Sequence, residues 1–203
     1  MPLDSTGVRA RLRDQFGDAI GDLVGSGRDA SCTVEPRRIA EVCRYLRDDP
    51  ALRFDCLSNL SGVDYPKQNA IQVVYHLFSY PLRHWIVLKV NAPRDNPVVP
   101  TLSGVWSAAD WQEREVFDLL GITFTGHPDL RRILMWEQYK EGYPLRKDFP
   151  LRGRFSRSEQ LRQALAANPE ARYSQDERTI AQALEDLPSD KRRRLTSGER
   201  TGE

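Results

Sequence analysis

The stretch FDCLSNLSGVDYPKQNAIQVVYHLFSYPLRHWIVLKVN, residues 54–91, decides the fold. It holds three runs rich in β-branched and aromatic residues, at 54–60, 71–78 and 84–91. Alternation is clearest in the second, where Ile71, Val73, Tyr75 and Leu77 share one face of an extended chain, because side chains in a strand point to opposite sides in turn. Residues 62–69 read as a loop rich in turn formers, and Tyr80-Pro81 marks a second break. Links this short join neighbouring strands antiparallel, since a parallel crossover needs roughly a dozen residues or more.

Working outward, residues 4–20 carry Val8, Leu12, Phe16 and Ile20 at intervals of four, a narrow apolar stripe on a polar helix. Gly21, Gly25 and Gly27 break it, and a short strand is expected over 31–35. Pro36 suits the first turn of a helix, where its missing N–H costs nothing. Ile39, Val42, Cys43 and Leu46 form that helix's buried face, and Asp49-Pro50 ends it. A connection holding Pro93, Pro97 and Pro100 leads to a helix expected over 110–120. There Asp110 is the expected cap and Glu113 its capping-box partner. Val116, Phe117 and Leu120 supply the buried face, and Gly121 the stop.

This order of elements predicts the α+β class. Residues 1–125 are expected to form a two-layer domain with a mixed, largely antiparallel sheet and flanking helices. An extended C-terminal arm with short helices follows over 126–188. Ser156 with Glu159 boxes its first helix, and Ser174 with Glu177 its second. The polar residues 189–203 are expected to be a disordered tail.

Composition narrows the function. The 203 residues carry 30 basic and 29 acidic side chains, a net charge of +1, so no global field draws the chain to nucleic acid or an anionic membrane. Mean hydropathy is −0.59, and no run approaches the roughly 20 apolar residues that span a bilayer. The first residues lack the pattern of a secretory leader. Cys32, Cys43 and Cys56 are separated by ten and twelve residues, which suits free thiols and not a metal or cluster site. His76 and His84 read as satisfied strand histidines. The phosphate-cradling glycine motifs are missing, and no serine or cysteine sits in an activated-nucleophile motif. Thus no catalytic, cofactor-binding or metal-binding residue is assigned.

The densest ionisable pattern lies in Glu113-Arg114-Glu115-Val-Phe-Asp118-Leu119-Leu120, followed by His127, Arg131 and Arg132. Four charges within six positions of an apolar helix suit a buried polar network, in which arginine forks onto carboxylates. Arg114 and Asp118, four apart, are expected to pair. The bland alternative is a solvated helix face with an ordinary ion pair contributing about 0.3–0.5 kcal/mol. A second block reads Gly142-Tyr-Pro-Leu-Arg146-Lys147-Asp148-Phe-Pro150. Residues 131–157 hold an excess of five positive charges but few apolar positions, as an extended segment held on a partner would.

Both blocks resemble the 30-kilodalton subunit family of respiratory complex I, whose bacterial members are the C subunits of NADH-quinone oxidoreductase. The motif is matched by Glu113, Arg114, Glu115, Asp118, Leu119, Leu120, His127, Arg131, Ile133 and Leu134. The resemblance implies a structural, non-redox subunit of the peripheral arm of a proton-pumping NADH:quinone oxidoreductase, on the cytoplasmic side of the inner membrane. It implies that NADH, FMN, iron–sulfur clusters and quinone are handled by other subunits. Partners would be other peripheral-arm subunits, above all those forming the quinone site, with the membrane reached only through them. Arg146, Lys147 and Asp148 are then expected to form intersubunit ion pairs. Two alternatives stay open: the equivalent subunit of a membrane-bound hydrogenase or F420-type dehydrogenase, and a standalone nucleic-acid-binding module using the basic 131–157 stretch.

Overall fold

The structure is a computed structural model that describes residues 4–137, 139–150 and 157–167. It divides into two units. The first comprises described residues 4–134 together with 145–148, and the second 135–137, 139–144, 149–150 and 157–167. The boundary expected at residue 125 therefore lies inside the first unit.

The first unit opens with helix α1 (Ser5–Phe16), whose first turn is capped by Asp4 Oδ1 accepting from Gly7 N–H at 2.8 Å. Val8, Leu12 and Phe16 are buried as expected. The helix does not reach residue 20: Gly17 adopts φ 57°, and Ile20 begins strand β1 (Ile20–Val24), which the sequence reading missed. Strand β1 pairs antiparallel with β2 (Ser31–Val34). A 3-10 turn at Pro36–Arg38 feeds α2 (Ile39–Asp48), whose buried residues are the expected four.

Strands β3 (Cys56–Tyr65), β4 (Ala70–Ser79) and β5 (His84–Pro93) form the antiparallel meander. Here β3 runs through Gly62 to Tyr65, into the expected loop, because each residue from Asn59 onward finds a ladder partner on β4. The sheet order is β1-β2-β5-β4-β3, with β2 parallel to β5, so the sheet is mixed and largely antiparallel. Val98–Pro100 forms a short strand β6, followed by α3 (Ala108–Leu120) and β7 (Thr123–Thr125); β6 and β7 pair parallel as a second small sheet.

Residues of α1, α2 and α3 join the inward residues of the sheet in one core cluster. Tyr75, Phe54, Phe124 and Leu12 are among its largest fully buried members. Full burial of a leucine or phenylalanine side chain among them contributes on the order of 1.5–3 kcal/mol. Helix α3 lies close on β3 because position 62 is glycine: a Cβ there would stand 2.3 Å from Leu120 Cδ1 and 3.3 Å from Val116 Cγ1. In the second unit, α4 (Arg157–Ala167) coincides with the first expected arm helix, and Glu159 pairs with Arg162 one turn on. The second arm helix and the tail lie outside the described residues.

Candidate functional site

Helix α3 begins earlier than its sequence suggested. Ser107 precedes it, and Asp110 lies within the first turn, so the expected capping box is not formed. This frees Glu113 to point inward, onto the same face as Ala109, Val116 and Leu120. Its carboxylate is fully buried. Oε2 accepts from the Thr101 hydroxyl at 2.5 Å, and Oε1 from Leu102 N–H at 2.6 Å. Glu113 thereby ties the helix to the chain leaving β6. Burial pushes its pKa up to about 7, since two donors and no close cation offset only part of the lost hydration.

His127 closes this corner, its side chain fully buried. Nδ1 accepts from Asp129 N–H at 3.0 Å, which leaves the proton on Nε2. That Nε2 faces the Asp110 carbonyl at 3.2 Å, Asp110 Oδ1 at 3.3 Å and Glu113 Oε2 at 4.0 Å. One imidazole thus bridges the strap after β7 to the first turn of α3.

Further along the helix, Asp118 is buried and collects three donors. Arg132 Nη1 lies 2.6 Å from Oδ1, while Ile133 and Leu134 N–H groups donate to Oδ2 at 3.1 and 2.8 Å. The expected Arg114–Asp118 pair is not made. The geometry turns Arg114 the other way, over the Trp111 ring at 4.7 Å and toward the Arg131 carbonyl at 3.4 Å. A carboxylate with two backbone N–H donors and a guanidinium beside it gains more than from one i, i+4 arginine. Glu115 is exposed and joins none of these contacts; Arg131 pairs at the surface with Asp129.

The second motif block returns to the end of the same helix. Leu145 N–H donates to the Leu119 carbonyl at 3.0 Å, and Arg146 Nε to the Leu120 carbonyl at 2.8 Å. Both satisfy carbonyls that a helix end leaves open, and the arginine sits at the negative pole of the helix dipole. Gly121, at φ 77°, turns the chain there as expected.

Two residues that sequence reasoning missed anchor this block. Asp64, fully buried at its side chain, holds Arg94 through both oxygens at 2.7 and 3.0 Å and accepts Lys147 N–H at 2.8 Å. Arg94 also reaches Asp148 at 2.6 Å. The Arg94 guanidinium, helped by the Lys147 amide, holds the Asp64 carboxyl below the usual carboxylate range against the opposing effect of burial. The available signal was parity: Leu60, Gly62 and Asp64 share one face of β3 once the strand is continued. Arg146 and Asp148 are therefore engaged within the chain, whereas the Lys147 side chain is exposed. These are contacts within the chain; the intersubunit ion pairs expected of the three concern partner chains.

The arrangement is a set of fixed polar tethers. Glu113, Asp118 and Asp64 each spend their acceptors on donors of another segment: Glu113 holds 101–102 on α3, Asp118 holds 132–134 there, and Asp64 holds Arg94 and Lys147 on β3. Among the described residues, no group of three or more His, Cys, Asp or Glu is placed to hold a metal ion, and no helix is long and apolar enough to cross a membrane.

Residues 32–155 match the family described as respiratory-chain NADH dehydrogenase, 30 Kd subunit. The chain is 52% identical over 152 residues to the C subunit of the NADH-quinone oxidoreductase of Roseiflexus sp. (strain RS-1), covering 74% of this chain and 87% of that protein. It is 49% identical over 146 residues to the second C subunit of the NADH-quinone oxidoreductase of Rhizobium etli (strain CIAT 652), covering 71% and 77%. Among solved structures, the trypsin-resistant fragment (1-134) of Nqo5 superposes with a TM-score of 0.50 at 29% identity, over 61% of this chain and 96% of that one. A chain of the membrane-bound sulfane sulfur reductase, an archaeal respiratory membrane complex, shares the fold with a TM-score of 0.61 at 24% identity, over 71% and 84%. The matched segment contains both motif blocks, and the relatives agree in kind: this chain belongs to the respiratory-chain NADH dehydrogenase 30-kilodalton subunit family.

Proposed function

We propose that the chain is a structural, non-redox subunit of the peripheral arm of a proton-pumping NADH:quinone oxidoreductase, on the cytoplasmic side of the membrane. In this reading NADH, FMN, iron–sulfur clusters and quinone belong to neighbouring subunits. The chain supports electron transfer by holding the quinone-site subunits in place. The observation that carries the reading is the triple tether. Asp118 and Asp64 fix the two motif segments on the domain, Glu113 ties α3 to the chain leaving β6, and Leu134, Leu145 and Trp111 are exposed. Large apolar side chains held rigidly at a surface suit a docking face, because the ordering cost is met before the partner arrives.

The test is replacement of Leu134, Leu145 and Lys147 together by Ser, Ser and Ala, followed by purification of the complex from the native membrane. Loss of co-purifying subunits with an intact isolated fold is expected; full assembly with unchanged NADH:quinone activity would remove the proposal. The hydrogenase or F420-type alternative is decided by the electron donor that the purified complex oxidises. A salt-dependent gel shift with the isolated chain would favour the nucleic-acid reading.

A further inference from the structure

The corner where His127 meets α3 holds more acceptors than donors. One N–H, on His127 Nε2, faces the Asp110 carbonyl at 3.2 Å, Asp110 Oδ1 at 3.3 Å and Glu113 Oε2 at 4.0 Å. Its proton goes to the carbonyl, and Asp110 Oδ1 is buried with no hydrogen-bond partner. Among the described residues no lysine or arginine pairs with Glu113. The titratable groups that reach it from other elements are Cys43 of α2 and Tyr75 of β4, and burial pushes both up, so neither carries charge near neutral pH. Arg44 of α2 borders the cleft outside, but its Nε donates to the Ala40 carbonyl at 3.1 Å. Two carboxylates facing one imidazole N–H are relieved by a single added proton, because buried like charges disfavour each other.

A route for that proton is present. Glu113 Oε2 lies 2.5 Å from Thr101 Oγ1, which lies 2.9 Å from Ser103 Oγ. Ser103 N–H donates to Thr101 Oγ1 at 3.1 Å and holds the threonine between the two. Thr101 and Ser103 border a cleft of about 550 Å³, together with Ser107 and Asp110. A hydroxyl donates one proton while accepting another. To empty the corner, the Glu113 carboxyl passes its proton to Thr101, Thr101 passes its own to Ser103, and Ser103 gives its own to water in the cleft. The reverse sequence fills it, and neither hydroxyl is left charged.

We propose that Asp110, Glu113 and His127 form a proton-binding site, filled from the cleft through Thr101 and Ser103, that sets which acceptor His127 ties the strap to. With the proton bound, Glu113 donates to Thr101 and the imidazole N–H stays on the Asp110 carbonyl. With the proton gone, the Glu113 carboxylate draws that N–H across to Oε2, because a charge-assisted bond is the stronger one. Asp129 follows the ring through its N–H bond to Nδ1. Asp118 keeps 132–134 in place, so the movement is confined to 127–131. Burial, with the Asp110 charge adding to it, puts the Glu113 carboxyl at about 7, so the site changes state in the neutral range. The device lies within this chain and needs no partner.

The experiment uses the full-length chain with isotope-labelled histidine, in which the His127 signal is one of three and is identified by its loss in His127→Gln. Its Nε2–H proton resonance is followed by NMR from about pH 5 to about pH 9. The expected result is one downfield shift as pH rises, centred at about 7, that is absent in Glu113→Gln. Asp110→Asn removes a charge that opposes ionisation and should lower the midpoint. Thr101→Val removes a donor to the carboxylate and should raise it by about one unit or more. Midpoints moving in opposite directions are not produced by a merely structural role. A resonance constant across the range overturns the proposal. So does a titration that survives in Glu113→Gln, which would belong to the imidazole itself. A midpoint that does not fall in Asp110→Asn, a near-isosteric change on a half-buried side chain, overturns it even if Thr101→Val fails to fold.

Discussion

Replacing Glu113 by Gln removes one buried charge and keeps the shape of the side chain. In the native chain burial raises the carboxyl from its ordinary value of 4.5 to about 7. Between those values the folded state holds a proton that the unfolded chain has already released. Stability therefore falls as pH rises through this window and levels off above it. At 1.36 kcal/mol per pH unit, the displacement is worth roughly 3 kcal/mol between pH 4.5 and 7. The E113Q variant has no such proton to lose. Its amide oxygen still accepts from Leu102 N–H, and the Thr101 hydroxyl turns to accept from the new NH₂. The assay is urea unfolding of wild type and variant, followed by tryptophan fluorescence from about pH 5 to about pH 8. The two should be within about 1 kcal/mol of each other near pH 5, one hydrogen bond being exchanged for another. Near pH 8 the variant should be more stable by about 2–3 kcal/mol. Only the difference is read, so other titrating groups cancel. A wild-type-minus-variant difference constant to about 0.5 kcal/mol across that range would refute the reasoning, because Glu113 would then be ionised in the fold throughout.

Other consequences follow from the remaining tethers. Asp118→Ala removes the carboxylate that faces the Arg132 guanidinium and accepts from two backbone N–H groups; a loss of about 3 kcal/mol is expected, with faster tryptic cleavage after Arg131 and Arg132, read by mass spectrometry of the digest. Arg94→Ala leaves the Asp64 carboxylate buried without its cation, again about 3 kcal/mol. In the wild type that carboxyl is held low, so its contribution is present above the unfolded-state value and is lost as pH falls through the folded one; acid unfolding should begin at higher pH in Arg94→Ala, as followed by circular dichroism. Gly62→Val drives side-chain atoms into Leu120 and Val116 and should cost about 1–3 kcal/mol in thermal unfolding.

Much of the core was legible because its periodicity was clean. The α2 residues Ile39, Val42, Cys43 and Leu46 repeat at helical spacing, and β4 and β5 are too rich in branched and aromatic residues to be anything but strands. What failed was weak local signal rescued by pairing. β1 contains Gly21 and Asp22, and β6 is two valines between Pro97 and Pro100, so neither carries a clear strand signal of its own. Each exists because a neighbour supplies the ladder: Val34, Cys32 and Ser31 for β1, and residues 123–125 for β6. The same holds for the far end of β3, where Gly62 and Asp64 looked like turn formers until β4 paired with them.

The polar motif divides in the same way. Residue type and spacing singled out Glu113, Arg114, Glu115, Asp118, His127, Arg131 and Arg132 for a polar network, against the alternative of a solvated face; the structure brings Glu113 to His127 and Asp118 to Arg132, and leaves Glu115 exposed. Partner choice was decided only in three dimensions. Sequence neighbourhood favoured Arg114 for Asp118, and a capping role for Glu113. The fold instead delivered Arg132 with two backbone amides to the first, and Thr101 with Leu102 to the second. A buried carboxylate takes the donors that replace most of its lost hydration, and these come from segments brought close by the sheet and not from the next turn of its own helix. For the same reason Asp64 and Arg94, thirty positions apart, became the anchor of the second motif block only when β3, β4 and β5 had set them side by side.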